Sequence, residues 1–244
     1  MFPADFSAMI INEDEHCGKG SLYIVSTPIG NLEDITLRSV EVLKRVRLVA
    51  AEDTRRTRIL MNHYGIPTPL SSYHSYNKAK KGPQFIRLLN QGEDIALVSD
   101  AGTPGISDPL YHLIQLTLND AIPVFSLPGP SAVLAALTVS GLPMDRFVFE
   151  GFLPLKKKRK TRLQELSQEK RTLVLYESPH RIHKTLKELY ENLGNRKAVL
   201  ARELTKMHEE VIRGDLRNLT ESLRDRKLKG EITLVIAGNS QKEN

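Results

Sequence analysis

Between residues 22 and 126, short apolar runs recur at regular intervals, and the stretches between them carry helical periodicity. No other feature of the chain narrows its fold as far. Runs at 22–26, 48–51, 70–73, 95–99 and 122–126 read as strands. Helices are expected over about 36–46, 55–63, 77–90 and 108–119. Strand and helix alternating at this spacing predict an α/β domain with a mainly parallel sheet. The right-handed crossover then places helices on both faces. A further helix at 131–140 follows a Pro-Gly-Pro turn, and Gly141-Leu142-Pro143 breaks the pattern. Beyond the break come strands at 147–151, 172–176, 198–202, 210–213 and 231–237, with helices at about 157–169, 179–193 and 216–226. The second domain is thus also α/β but more mixed. Its strands at 209–214 and 231–238 are expected to pair antiparallel, because the helix between them is short. The expected organisation is a disordered leader at 1–20, an N-terminal domain at 21–140, a linker at 141–152, a C-terminal domain at 153–240 and a tail at 241–244.

The chain has 244 residues, enough for two domains that each bury a core. Its only cysteine is Cys17, which excludes an intramolecular disulfide and cysteine-cluster zinc sites and fits a reducing cytoplasm. The longest apolar stretch, 132–142, is well short of the roughly 20 residues a membrane span needs. The acidic N-terminus has no basic-then-apolar pattern, so neither a signal peptide nor a membrane partner is expected.

Charge is unevenly placed. Lys and Arg number 35 against 29 Asp and Glu, a net of +6, and the eight basic and two acidic residues between Lys156 and Arg171 hold all of it. Two readings stand for Lys156, Lys157, Lys158, Arg159 and Lys160: a strip for a polyanion, nucleic acid first, or a solvated helix face that binds nothing. Arg55, Arg56 and Arg58 suit phosphate contact through their guanidinium forks. Nearby Tyr73, His74 and Tyr76 either stack on bases or pack against the sheet edge.

In open α/β sheets, ligands lie beyond the carboxyl ends of the strands. The loops there, at 27–34, 52–57, 99–109 and 127–132, are rich in Gly, Pro and Asx. The first has one glycine and a proline rather than G-x-G-x-x-G, and no G-x-x-x-x-G-K-[ST] exists. Asp100 suits an ammonium group or a ribose hydroxyl. Asp108 and Pro109 suit the cap and first position of the next helix. Ser131 and Ala132 open a helix whose N–H groups either meet a carboxylate or are simply capped. His180 and His183, with Glu177 and Glu203 or His208, have metal-ligand chemistry, but helix-surface histidines explain them more simply and no metal is expected. No serine sits in a G-x-S-x-G elbow.

Seven motifs in order carry a resemblance: LYIVSTPIGNLEDIT at 22–36, AEDTRRT at 51–57, SDAGTPGISDP at 99–109, PGPSA at 128–132, FEGFLP at 149–154, YESPHR at 176–181 and RELTKMHEE at 202–210. With them the chain resembles the tetrapyrrole-methylase-like (class III) family of S-adenosylmethionine-dependent methyltransferases, and within it a group that modifies ribosomal RNA. The likeness runs from about 22 to 238; the leader has no counterpart in the family pattern. The resemblance implies two α/β domains with S-adenosylmethionine in the cleft between them, a cytoplasmic protein and usually a homodimer. It implies 2′-O-methylation of a cytidine in small-subunit (16S) rRNA, either as free rRNA or in the assembled small ribosomal subunit. By matching positions, the cofactor is expected against Ile29, Asp100, Gly102, Thr103, Ser131, Ala132, Tyr176, Ala201, Ile232 and Thr233.

A ribose hydroxyl is a poor nucleophile and profits from a base or an orienting hydrogen bond. The sulfonium leaving group needs no metal. Candidate bases are Glu177, Glu203 and Asp53, with Lys206 an alternative if burial depresses its pKa. Each acid also suits a structural ion pair with Arg181, Arg202 or Arg55. Two other function classes stay open: a methyltransferase acting on a tetrapyrrole or other small molecule, which has no use for the lysine run, and a non-catalytic RNA-binding module.

Overall fold

The computed structural model describes residues 18–106 and 111–239. The expected leader up to position 17, Cys17, the cap formed by Asp108 and Pro109, and the tail lie outside the described residues. The chain forms two compact units, the first built from residues up to Thr27 and Ile35–Gly129, the second from Pro28–Asp34 and the chain from Pro130 onward.

In the first unit, β1 (Leu22–Val25), β2 (Leu48–Ala51), β3 (Leu70–Ser72), β4 (Ile95–Val98) and β5 (Val124–Leu127) form a sheet in the order β3-β2-β4-β1-β5. Every neighbouring pair is parallel. The intervening helices are α1 (Leu37–Arg45), α2 (Thr54–His63), α3 (Lys78–Asn90) and α4 (Tyr111–Asn119). Every residue of β1 and β4 is buried, which is why these strands read as unbroken apolar runs. On one face Leu22, Ile24, Ile95 and Leu97 pack with Phe85 and Leu89 of α3 and Leu113 of α4. On the other, Arg45 of α1 lies 5.7 Å over the Tyr23 ring and donates to its hydroxyl at 3.1 Å. Thr36 caps α1 by accepting from the Ser39 N–H, and Asp53 caps α2 by accepting from the Arg55 N–H.

In the second unit, α5 (Ala132–Ser140) precedes β6 (Phe147–Phe152), α6 (Arg159–Ser167), β7 (Thr172–Glu177), α7 (Ile182–Leu193), β8 (Lys197–Arg202), β9 (Glu210–Asp215), α8 (Leu216–Ser222) and β10 (Ile232–Ile236). The strand order is β6-β7-β10-β8-β9. Only β6 and β7 are parallel. The expected pairing of 209–214 with 231–238 does not form: β8 lies between β9 and β10 and is antiparallel to both. Leucines of α6, α7 and α8 fill one face of this sheet with Leu173, Leu175, Leu200, Ile232 and Leu234. The other face carries α5 and Ile29.

The units therefore divide at Gly129/Pro130, ahead of the expected 141–152 linker, and α5 goes with the second. Val133, Ala136 and Leu137 pack on Val174, Val199 and Val235. Because α5 is apolar around most of its circumference, its sequence has no sidedness to say which sheet it joins. Among the described residues, no helix is long and apolar enough to cross a membrane.

Candidate functional site

In the first unit, the loops beyond β1, β2 and β4 are tied together by polar contacts. Thr27 and Gly102 exchange backbone hydrogen bonds of 3.0 and 2.9 Å. The Thr27 hydroxyl donates to the Ser99 carbonyl, and the Ser26 and Thr103 hydroxyls meet at 3.1 Å. Asp100 accepts from the Asp53 N–H at 2.9 Å and pairs with Arg56 at 3.5 Å. Its carboxylate thus fastens the β2 loop to the β4 loop. Asp53 in turn takes the Arg55 guanidinium at 2.7 Å, and the Arg55 hydrogen bonds hold its carboxyl at about 2. A carboxylate so stabilised is a weaker base than a free one. Of the three arginines expected on phosphate, Arg55 and Arg56 are held by acids of their own unit, while Arg58 stands exposed on α2. Tyr73 is core, packed with Phe85, whereas Tyr76 is exposed.

The second unit brings another set together. Thr233 of β10 lies directly between Tyr176 of β7 and Ala201 of β8 in register. Tyr176, Ala201, Ala132 and Ile29 share the apolar cluster on the α5 face. Burial pushes the Tyr176 phenol up to about 12, and the hydrogen-bonded Val133 backbone N–H pulls the other way. That bond serves the first turn of α5, where the Ser131 side chain makes no capping bond.

Side chains alternate along a strand, so chain neighbours take opposite faces. Ile232 points into the helix-covered core, so its backbone alone remains for a ligand. Glu177 is buried away from the Tyr176 face. It accepts from the Thr185 hydroxyl at 2.6 Å and the Ser178 N–H at 2.8 Å, and pairs with Arg181 at 3.3 Å. This carboxylate stands in a buried hydrogen-bonded network.

Glu203 and Lys206 form a further ion-paired set. They pair at 2.8 Å, and Lys206 reaches Glu231 at 3.0 Å. Burial raises the Glu203 carboxyl, but hydrogen bonds from Lys206 and the Glu231 N–H outweigh it and leave the group below its usual range. Burial lowers Lys206, yet its carboxylate partners raise it overall, away from the depression that a base at this position needs.

The loop holding this pair is contorted. Glu203 (φ 51°) and Thr205 (φ 65°) are both left-handed non-glycine residues. The loop presses on Gly30, where a Cβ would lie 2.4 Å from Lys206 Cγ, 2.7 Å from Thr205 Oγ1 and 2.8 Å from the Leu204 carbonyl oxygen. Thr205 Oγ1 is buried with no hydrogen-bond partner. Nothing in the run Leu-Thr-Lys announces a left-handed threonine, so sequence reasoning passed over it.

The basic strip is only partly a strip. Lys156, Lys157, Lys158 and Lys160 are exposed. Arg159 is 7 % exposed and donates to Glu188 at 2.7 Å, the Thr185 hydroxyl at 2.8 Å and the Pro154 carbonyl at 3.1 Å. Its charge is consumed inside the unit, which corrects its place among nucleic-acid contacts. Arg162 likewise grips Glu150 and Glu165.

Known proteins resemble this chain over most of its length. A protein of Halalkalibacterium halodurans named "Ribosomal RNA small subunit methyltransferase I" is 48% identical over 225 residues, 92% of this chain and 78% of that protein. One of the same name from Thermotoga maritima is 46% identical over 219 residues, 90% of this chain and 99% of that protein. The structure of uroporphyrin-III C-methyltransferase from Thermus thermophilus complexed with S-adenosylhomocysteine superposes with a TM-score of 0.63 at 18% identity, covering 89% of this chain and 97% of that one. At that identity the likeness speaks for the fold alone. The model of the Tetrapyrrole (Corrin/Porphyrin) Methylases matches residues 21–220, and with relatives this similar over nine-tenths of its length the chain belongs to that family.

Proposed function

We propose that this chain transfers a methyl group from S-adenosylmethionine to the 2′-hydroxyl of a cytidine in small-subunit (16S) rRNA, acting in the cytoplasm as a homodimer. The observation that carries the reading is the 46–48% identity, across nearly the whole chain, to proteins named for small-subunit rRNA methylation. The exposed lysines of 156–160 support an RNA substrate over a compact tetrapyrrole, which has no use for such a run.

The residues present suit the cofactor. Half-buried Ala132 and Tyr176, backed by buried Ile29 and Ala201, offer an apolar floor. The Thr233 side chain stands among them, and Thr205 Oγ1 has a hydrogen bond still to make. In the first unit Asp100, Gly102 and Thr103 are the expected contacts, with Asp100 also holding the β2 loop. When bound, S-adenosylmethionine supplies a methyl carbon on an already activated sulfur. The four base candidates are all engaged in ion pairs. As the methyl is transferred, the 2′-hydroxyl proton leaves to one of these groups or to water, and the chain also holds the nucleotide in line, a contribution that carries much of such a rate.

The test is transfer of labelled methyl from S-adenosylmethionine by the purified chain to deproteinised small-subunit rRNA and, separately, to the assembled subunit. Nucleoside analysis is expected to find 2′-O-methylcytidine. Label on a base, or on neither substrate, breaks the proposal.

A further inference from the structure

We infer that Phe152 is a stacking platform for a base of the RNA substrate, an inference that rests on the RNA reading above. Regular alternation would set Phe147, Phe149 and Gly151 on one face of β6, and Val148, Glu150 and Phe152 on the other. The strand does not alternate to its end. Between Phe149 and Gly151 the register against β7 slips by one residue, so Phe149 faces Val174, Gly151 faces Leu175 and Phe152 faces Tyr176. Gly151 takes φ 65°, a conformation open to glycine and strained in residues with a Cβ. Glu150, set aside by the bulge, pairs with Arg162 at 2.6 Å.

The slip moves one aromatic ring across the sheet. Without it Phe152 would enter the helix-covered core with Val148. With it the ring joins Phe149 and Tyr176 on the other face, with Phe149–Tyr176 centroids at 5.0 Å and Phe152–Tyr176 centroids at 5.7 Å. There Phe152 remains 53% exposed. A bulge that takes a phenyl ring out of an apolar core and leaves half of it in water serves something other than packing. Bulges beside functional sites re-aim side chains in this way.

The neighbourhood fixes the class of ligand. Leu153 is buried and anchors the chain, and Lys156, Lys157 and Lys158 follow, all exposed. From Phe152 to Lys158 the backbone spans at most roughly 20 Å, the reach of a few nucleotides. An open aromatic face followed at once by exposed cations is the arrangement that holds single-stranded RNA, one part stacking on a base and the other meeting phosphates. A phenyl ring makes no polar contact to a base edge, so it positions a nucleotide without reading its identity.

The experiment measures binding of a short fluorescein-labelled single-stranded RNA of mixed sequence to the full chain by anisotropy. Phe152→Leu keeps the apolar volume and removes the ring. It is expected to weaken binding about tenfold, with an unchanged slope of log Kd on log salt and unchanged S-adenosylmethionine affinity by calorimetry. Phe152→Trp is expected to restore wild-type affinity. Unchanged RNA affinity in Phe152→Leu overturns the inference. So does a loss shared with S-adenosylmethionine affinity, which would make the ring part of the cofactor site. A change in sedimentation from dimer to monomer also overturns it, because the ring would then cover a second copy. Wild-type protein that binds RNA through Phe152 but transfers no methyl group to it would end the enzymatic reading and leave the platform standing.

Discussion

The two sheets place their functional groups by different rules. In the first, all five strands run the same way, so every strand end that follows the chain forward reaches one edge. There, loops bond to loops: Thr27 to Gly102, Ser26 to Thr103, Asp100 to Asp53. In the second, β10 runs against both neighbours, so its start lies beside the ends of β7 and β8. Groups there are sorted by face rather than by edge. Tyr176 and Thr233 lie on one side, and Glu177 and Ile232, their immediate chain neighbours, on the other. A parallel sheet assigns function to loops; a mixed sheet assigns it residue by residue.

The sharpest way to break this contrast is on the helix-covered face. Arg159→Ala leaves Glu188 and Thr185 without their buried partner and is expected to cost about 3–5 kcal/mol in urea denaturation. A loss below about 1 kcal/mol would return Arg159 to the surface strip. Next is Gly30→Ala, on the other face. Its methyl group meets the Leu204 carbonyl and Thr205, so about 1–3 kcal/mol of stability and much S-adenosylmethionine affinity should go together. Full affinity in a destabilised variant would show that the 204–206 loop has no part in the cofactor site.

Replacing Lys156, Lys157 and Lys158 by Glu is expected to move stability by no more than about 0.5 kcal/mol per site. The same change should reduce the salt slope of RNA binding by roughly 2. An unaltered slope makes the lysines a solvated face. The smallest effect is in the first sheet. Arg55 holds Asp53 below the ordinary carboxyl value near 4. A depressed folded-state value favours the fold above about pH 4, and that contribution is lost as pH falls through about 2. Carboxyl NMR of Asp53 should titrate near 2; a midpoint near 4 would dissolve the Asp53–Arg55 pair.

The same contrast sets what the sequence could tell. The strands β1 and β4 were legible because strands buried on both faces are apolar throughout. The motif loops were legible as loops. The roles within them were less so, because a carboxylate's function depends on which face it takes and on what it bonds. Glu177 shows this: one position along β7 separates the aromatic face from the buried network. Arg159 had a readable signal, since it precedes Leu163 and Leu166 at helical spacing on one face. The bulge at Gly151 had none beyond a lone glycine in a strand.

The segment Pro28–Asp34 leaves the first unit and returns to it after seven residues, having placed Ile29 in the core of the second. Its partners there run from Val133 to Val235. During synthesis at 5–20 residues per second, Ile29 waits roughly 10–40 s for the last of them. The strands on either side of it both pair with β4, which is made much sooner. The second core is thus closed by a piece made long before it, and neither unit can be excised by a single cut without taking or leaving a part of the other.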